Sequence, residues 1–408
     1  MRGAERTLLL ALAWTLWWAA IEPARAADWP QWRGPQHDGI SRETGLLPKW
    51  PASGPSELWR VALGGGFSAV SVVGDRAFTM YGSPEGEFAV AIDSGSGKIL
   101  WKIRCGDLYK NSYGDGPRAT PSVDEGRVYT LSGKGSLLCL DASSGKQLWG
   151  FSLPEKFAGE PPEYGFSASP LVVGKMLVVV VGAGKGRSLA ALDKTTGNVI
   201  WTSLDDKPGY STPLAIEVDG LPQLVVLMGE ALVSVSPQDG HEYWRHPWKT
   251  EQDANVAAPI FSHDRLFIST GFGTGCGLFE LSAKNGKAEA KLLWANKNME
   301  NYFGSSILID GQLYGFKKTI LTCIDFETGQ THWKQRGFNQ GCVLAADGKL
   351  IIYGERATLA LAEVSSAHYR EISKAKVLDD QTWTIPTLAD GRLYVRNQKE
   401  LVCLNVKK

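Results

Sequence analysis

The chain has 408 residues, 43% of them hydrophobic and 21% charged, a composition that folds rather than staying disordered. Its 43 basic and 43 acidic residues cancel, so no global field draws it to nucleic acid, and no basic run tracks a phosphate backbone. The 46 glycines and 15 tryptophans suit many short strands joined by tight turns, with large side chains packed between sheets.

Taken in chain order, the N-terminus comes first. Arg2 and Arg6 precede an apolar run from Thr7 to Ile21, and Ala24-Arg25-Ala26 follows as a small-x-small cleavage site. That order predicts a secretory signal peptide over 1–26, a periplasmic or secreted protein, and no membrane span after cleavage. No cysteine lies near the cleavage site to take a lipid. Residues 27–55 read as an N-terminal extension, and a repeat begins at about residue 56.

The repeat is a small residue, any residue, Asp, a short Gly-ended turn, then Trp four residues beyond the Gly. Copies stand at Ala91-Asp93-Gly97-Trp101, Cys139-Asp141-Gly145-Trp149, Ala191-Asp193-Gly197-Trp201 and Cys323-Asp325-Gly329-Trp333. Weaker copies begin at Ser234 (Gly240, Trp244), at Glu280 (Gly286, with Trp294 after an insertion) and at Leu361 (Glu363, Ala367). Each is a hairpin, with Asp bonding local backbone, Gly at positive φ, and Trp placed to cover a seam to the next sheet. A second Asp/Gly hairpin precedes each, as in TPSVDEGRVYTL and IPTLADGRLYVR, which makes four strands per unit. Starts at 91, 139, 191, 234, 280, 323, 361 and 403 are spaced like propeller blades.

The eighth copy, Cys403-Leu404-Asn405, stops before its turn and outer strand. SELWRVAL, with Trp59, is the missing strand at the other end of the repeat region. Pairing first strand with last closes a ring and hides the free edges. The expectation is an all-β, eight-bladed β-propeller of four-stranded antiparallel blades over residues 56–408. Cys139, Cys323 and Cys403 share one repeat position and read as small buried apolar residues, whereas Cys105, Cys276 and Cys342 stay open. No CxxC, vicinal Cys-Cys or CxxCH is present.

The AxDxxTGxxxW pattern resembles the repeat of the PQQ-like (quinoprotein alcohol dehydrogenase-like) propeller family, over essentially the whole mature chain. That family includes quinoprotein dehydrogenases and the propeller lipoprotein of the outer-membrane barrel assembly machinery. The opening ADWPQWRGPQHDGIS is similar to secreted PQQ-like proteins common in planctomycetes. The resemblance implies the fold and leaves enzyme and scaffold both open.

In a propeller the residues at the head of each innermost strand converge on one channel mouth. Here these are Phe67, Arg118, Phe166, Tyr210, Asn255, Tyr302, Asn339 and Trp383. Such a ring suits a planar, polar ligand by stacking and hydrogen bonding, and it equally suits a structural plug. Asp115 and Asp253 beside it are oxygen donors for a hard cation, or turn formers. An enzyme reading implied by the resemblance places PQQ and calcium there, acting on an alcohol or sugar, with Asn255 the one residue mapped to the calcium set. The absent Cys-Cys and CxxCH segments depart from that pattern.

Elsewhere the chemistry is thin. GAGKGRS at 182–188 lies between strands with no following helix, so it reads as a hairpin loop rather than a phosphate loop. His37, His241 and His332 read as surface positions. Candidate long loops are 104–117, 153–165 and 246–254. The expectation is an exported, non-catalytic binding or scaffold protein with no cofactor, taking a protein partner or a small polar ligand at the channel mouth. The alternative is a PQQ- and calcium-dependent oxidoreductase.

Overall fold

A computed structural model describes residues 28–408; the signal segment expected over 1–26 lies outside the described residues. Eight four-stranded antiparallel sheets follow one another round a ring, one of them carrying a fifth strand. Blade 1 runs over Ser71–Gly106, blade 2 over Ser122–Ser152, blade 3 over Leu171–Ser203 and blade 4 over Leu214–Pro247. Blade 5 runs over Ile260–Asn296, blade 6 over Ile307–Gln335 and blade 7 over Gly341–Lys376. Blade 8 joins Thr387–Asn405 to the N-terminal strand Ser56–Ala62, with Trp59 opposite Cys403. The ring therefore closes as the truncated last repeat requires.

The repeated pattern builds the seams between blades. Asp93, Asp141, Asp193 and Asp325 each accept a backbone N–H three residues on, at 2.7–2.8 Å, which folds the turn that ends in Gly. These glycines have φ of +67 to +76°. A Cβ on Gly97, Gly145, Gly197 or Gly329 would sit 2.8 Å from the indole of Trp59, Trp101, Trp149 or Trp294, the tryptophan of the preceding blade. The indole lies flat on the bare glycine; for Trp59, Trp101 and Trp149 its N–H reaches a carbonyl of the same turn, whereas Trp294 Nε1 is buried without a partner. Trp59 Nε1 bonds Ser94 O at 2.9 Å, Trp101 Nε1 bonds Ala142 O at 3.0 Å and Trp201 Nε1 bonds Pro237 O at 2.9 Å.

A β-bulge sits in every outer strand, always just before the Trp position. Ala91 faces Trp101 while Ile92 faces Ile99, so Leu100 is the extra residue. Leu148, Ile200, Tyr243, Leu293, His332, Ile372 and Leu58 are extra in the other seven. A bulge bends and twists the strand and re-aims the next side chain. Here it turns the indole inward onto the neighbour and leaves Leu58, Leu100, Leu148, Ile200 and Leu293 exposed on the rim.

Blade 7 lacks a tryptophan: Ser373 stands opposite Leu361 at that register position. The N-terminal extension makes up the difference. Trp50 N donates to Ser373 Oγ at 2.8 Å, and Ser373 Oγ donates to Trp50 O at 3.2 Å. The Trp50 side chain is buried in the cluster that contains Leu361, Leu393, Leu404 and Val406 of blades 7 and 8.

Earlier in the extension, residues 28–47 form a strap across the end of the channel remote from the strand heads. Trp29 exchanges two 2.8 Å backbone bonds with Val72 of blade 1, and Val123 N of blade 2 donates to Pro30 O. Arg33 is buried and donates to His37 O, Asp38 O and, at 2.7 Å, Ser306 O of blade 6. Ile40–Ser41 then adds a parallel fifth strand to blade 7 at Ala345–Ala346. His37, expected at the surface, is half-buried, and burial together with the neighbouring Arg33 lowers its pKa to about 4.

The six cysteines are buried and unpaired, the three repeat-position ones and the three left open alike. Burial pushes each thiol up to about 12. The 153–165 loop starts with a short helix, Leu153–Phe157, capped by Ser152. Residues 182–188 are a loop between strands Met176–Val180 and Leu189–Asp193.

Two outcomes follow from the seams. Trp50→Ala empties the seam between blades 7 and 8 and should cost about 3–5 kcal/mol, read as a lower denaturant midpoint; an unchanged midpoint contradicts the role of the extension. Gly145→Ala should cost about 1–3 kcal/mol by strained φ and the clash with Trp101, and a stabilised protein in the same measurement contradicts the flat indole contact.

Candidate functional site

The strap turns the central channel into a blind cavity of about 410 Å³ open at the strand heads. Trp32 of the strap lines it, together with Thr212, Val256 and Ile385 from the segments that lead into inner strands. Nearer the mouth stand Phe67, Tyr113, Tyr164, Tyr210, Phe272, Tyr302, Phe303 and Trp383. These rings form one connected arc. Phe272 meets Tyr302 at 4.9 Å between centroids, and Phe303 stacks on Trp383 at 4.3 Å and 22°. Phe67 stacks on Trp383 at 5.6 Å, and Tyr113, Tyr164 and Tyr210 continue the series at 5.5–6.3 Å. Tyr113 is 54% exposed at the rim.

Of the residues expected at the mouth, Phe67, Arg118, Tyr210, Tyr302 and Trp383 line the cavity, and Phe166, Asn255 and Asn339 do not. Phe166 is buried in the cluster with Leu153 and Phe157, and Ser167 takes the wall position. Asn255 is fully buried, its Nδ2 donating to Met228 O, Gly229 O and Trp248 O and its Oδ1 accepting from Thr270. The amide N–H groups thus hold backbone carbonyls and the amide oxygen holds the Thr270 hydroxyl, and Val256 faces the cavity instead. Asn339 adopts φ +55° in a turn, and Gln340 is the lining residue of blade 7.

The physical reason is register. Successive side chains alternate faces, so a one-residue offset moves a residue from channel to seam. Counting three residues back from the Pro that precedes the inner strand selects Arg118, Ser167, Tyr210, Val256 and Trp383, all lining. Phe166 and Asn255 lie four back. Tyr113, Tyr164 and Phe272 come from loops rather than strand heads, so this count does not reach them.

The polar groups of the cavity are mostly occupied. Glu355, the carboxylate among the lining residues, accepts at Oε1 from Trp383 Nε1 at 2.8 Å and Gln381 Nε2 at 3.2 Å. Gln252 Oε1 accepts from Tyr164 OH, and Asn111 is tied to Tyr113 N and Glu163 O. Gln340 Oε1 is buried with no partner. Arg118 donates to Gly116 O and, at 2.8 Å, to Gly114 O, with its guanidinium 4.5 Å above the Tyr109 ring and 5.5 Å from Phe67. Burial lowers its pKa, with Tyr109, Glu87 and Asp115 opposing the shift.

Both candidate aspartates are engaged by other groups of the protein. Asp115 Oδ1 caps Asn111 N at 3.0 Å, and Asp253 Oδ2 pairs with Lys207 at 2.9 Å. Among the described residues no three His, Cys, Asp or Glu side chains converge on a metal position. The Glu87 carboxylate, close to Arg118, is fully buried and takes Gly133 N at 2.7 Å and Tyr109 N at 3.1 Å.

Comparison with known proteins places this geometry. A region of the outer membrane protein assembly factor BamB from Nitrosomonas eutropha is 28% identical over 186 residues, 43% of this chain and 38% of that protein. The dehydrogenase subunit of a quinone-dependent alcohol dehydrogenase from Gluconacetobacter polyoxogenes is 26% identical over 130 residues, 30% of this chain. That match spans 18% of the dehydrogenase subunit, so well under two thirds of either relative is covered. Among solved structures, BamB from Moraxella catarrhalis matches with a TM-score of 0.63 at 14% identity, over 86% of this chain and 99% of that one. The quinohemoprotein alcohol dehydrogenase from Comamonas testosteroni matches at 0.65 and 12% identity, over 94% and 81%. At such identities these two establish the fold alone. Residues 85–335 match the family described as outer membrane protein assembly factor BamB, and with more than half of the chain inside that match, this eight-bladed protein belongs to that PQQ-like propeller family.

Proposed function

We propose that the chain is an exported, non-catalytic binding protein whose channel mouth is the binding site. The observation that carries this reading is the character of the cavity: a connected aromatic arc over a sealed apolar floor, with its one lining carboxylate already bound by Trp383 and Gln381. Clefts of this kind, mostly apolar with a few placed polar groups, hold ligands. No helix of the described residues is long and apolar enough to cross a membrane, which is compatible with export through the expected signal peptide.

The quinoprotein reading asks for more than the cavity offers. PQQ carries three carboxylates, and calcium takes six to eight oxygens. Arg118 is the one cationic side chain among the lining residues, and Asn255, mapped to the calcium set, spends its carboxamide on backbone carbonyls and the Thr270 hydroxyl. The donor set does not fit the pair.

Incubation of the purified protein with PQQ and calcium chloride tests the reading. Quinone absorbance should be lost on desalting, and alcohols or sugars should not reduce an added dye; retained absorbance with alcohol-dependent dye reduction overturns it. Export has its own measurement. The protein recovered from a periplasmic fraction should have a mass that begins at Ala27, and an uncleaved cytoplasmic product contradicts the signal.

A further inference from the structure

Arg118 is the one cationic side chain that lines the cavity, and it is only partly compensated. Its guanidinium carries five N–H bonds. Two are given to Gly114 O and Gly116 O, which leaves three. It forms no salt bridge with any described residue; of the nearby acids, Glu87 gives both carboxylate oxygens to backbone N–H groups and Asp115 gives Oδ1 to Asn111 N. Stacking on Tyr109 and Phe67 holds the fork still. A fixed, partly dehydrated guanidinium of this kind prefers a planar, two-oxygen anion over a point acceptor.

The rest of the wall restricts what can accompany that anion. Three blades round the ring, on blade 7, Glu355 and the side chain of Gln340 face the same space. The Glu355 carboxylate disfavours a second negative charge. Between the two polar poles lie Phe67, Trp383 and Phe303, and Trp32 closes the floor. A hydrated sugar would leave its hydroxyls against these rings with few free partners, since Asn111, Gln252 and Thr212 are already engaged.

We infer that the mouth takes an apolar, predominantly aromatic group bearing a single carboxylate, the carboxylate on Arg118 and the apolar body against the Phe67, Trp383 and Phe303 stack above Trp32. This rests on the proposed binding role and names its ligand class. The cavity, at about 410 Å³, suits a small aromatic acid. The same chemistry is offered by a free aromatic carboxylic acid and by an aromatic residue at the C-terminus of a peptide. Arg118 reads the charge, and Trp32 limits how deep the group can go.

Calorimetric titration of the full chain tests this with two matched pairs: 1-naphthylacetate against 1-naphthylacetamide, and acetyl-Gly-Gly-Trp with a free C-terminus against its C-terminal amide. In at least one pair the acid should bind at least about tenfold more tightly than the amide, about 1.4 kcal/mol. A preference confined to the first pair identifies a free small acid, and one confined to the second identifies a chain terminus. Arg118→Gln should reduce the preference to less than about threefold while Arg118→Lys keeps part of it. Ile385→Trp, which fills the cavity from blade 8 and leaves Arg118 itself in place, should abolish binding; should Arg118→Gln fail to fold, this variant and the wild-type acid-to-amide ratio still decide. Equal affinities for acid and amide in both pairs, a preference that survives Arg118→Gln, or no binding of any probe overturns the inference. None of these results makes the protein an oxidoreductase, so failure here is distinct from failure of the binding role.

Discussion

The contact on which the rest depends is an indole lying on a glycine that has no side chain. Each blade alone is a small twisted sheet with two apolar faces and cannot be stable in isolation. Stacking blades buries those faces, and the Trp-on-Gly contact sets how closely they approach. Because the glycines have positive φ, any other residue is strained there even before its Cβ meets the ring 2.8 Å away. The bulge before the tryptophan is the other half of the joint, since it turns the indole from the solvent face into the seam. One short pattern thereby encodes a turn, a bulge and a docking surface.

Where the pattern weakens, the seam is built by other means. Trp244 has no facing glycine, because the blade 5 hairpin extends outward as two ten-residue strands and its Gly286 meets nothing. Its Nε1 turns instead to Gln223 of its own blade at 3.0 Å, where Ser234 also donates. Blade 7, with Ser373 in place of tryptophan, is completed by Trp50 from outside the repeats. The extension is thus part of the ring's closure as well as the floor of its channel, which ties the stability of blades 7 and 8 to the shape of the cavity.

Most of the fold was legible because strand, turn and seam are written in local, repeated residues. Seven full copies of the hairpin and the truncated Cys403 copy suffice to predict closure by Trp59. The fold of the extension was not legible: Arg33 reaches Ser306, 273 positions away, and nothing in WRGPQHDG announces that partner. The channel mouth was legible in part. Phe67, Arg118, Tyr210, Tyr302 and Trp383 were reached from strand heads, while Phe166 and Asn255 fell one residue from the wall, where alternation exchanges channel for core. Tyr113, Tyr164 and Phe272 enter from loops whose lengths differ between blades, so no repeat position marks them.

That division explains why family membership leaves function open. The residues that define the family are those that join blade to blade, and they face seams and turns. The residues that meet a ligand face the channel, where the fold demands only that they fit, and there each blade contributes a different side chain. In this chain the demand is met by aromatic rings packed on one another and by a single guanidinium whose charge the protein does not neutralise through a salt bridge. Its structural bonds to Gly114 O and Gly116 O use two of its five N–H groups, and a neutral donor could make them without the cost of dehydrating a cation. The retained charge is the feature of the cavity that packing alone does not require.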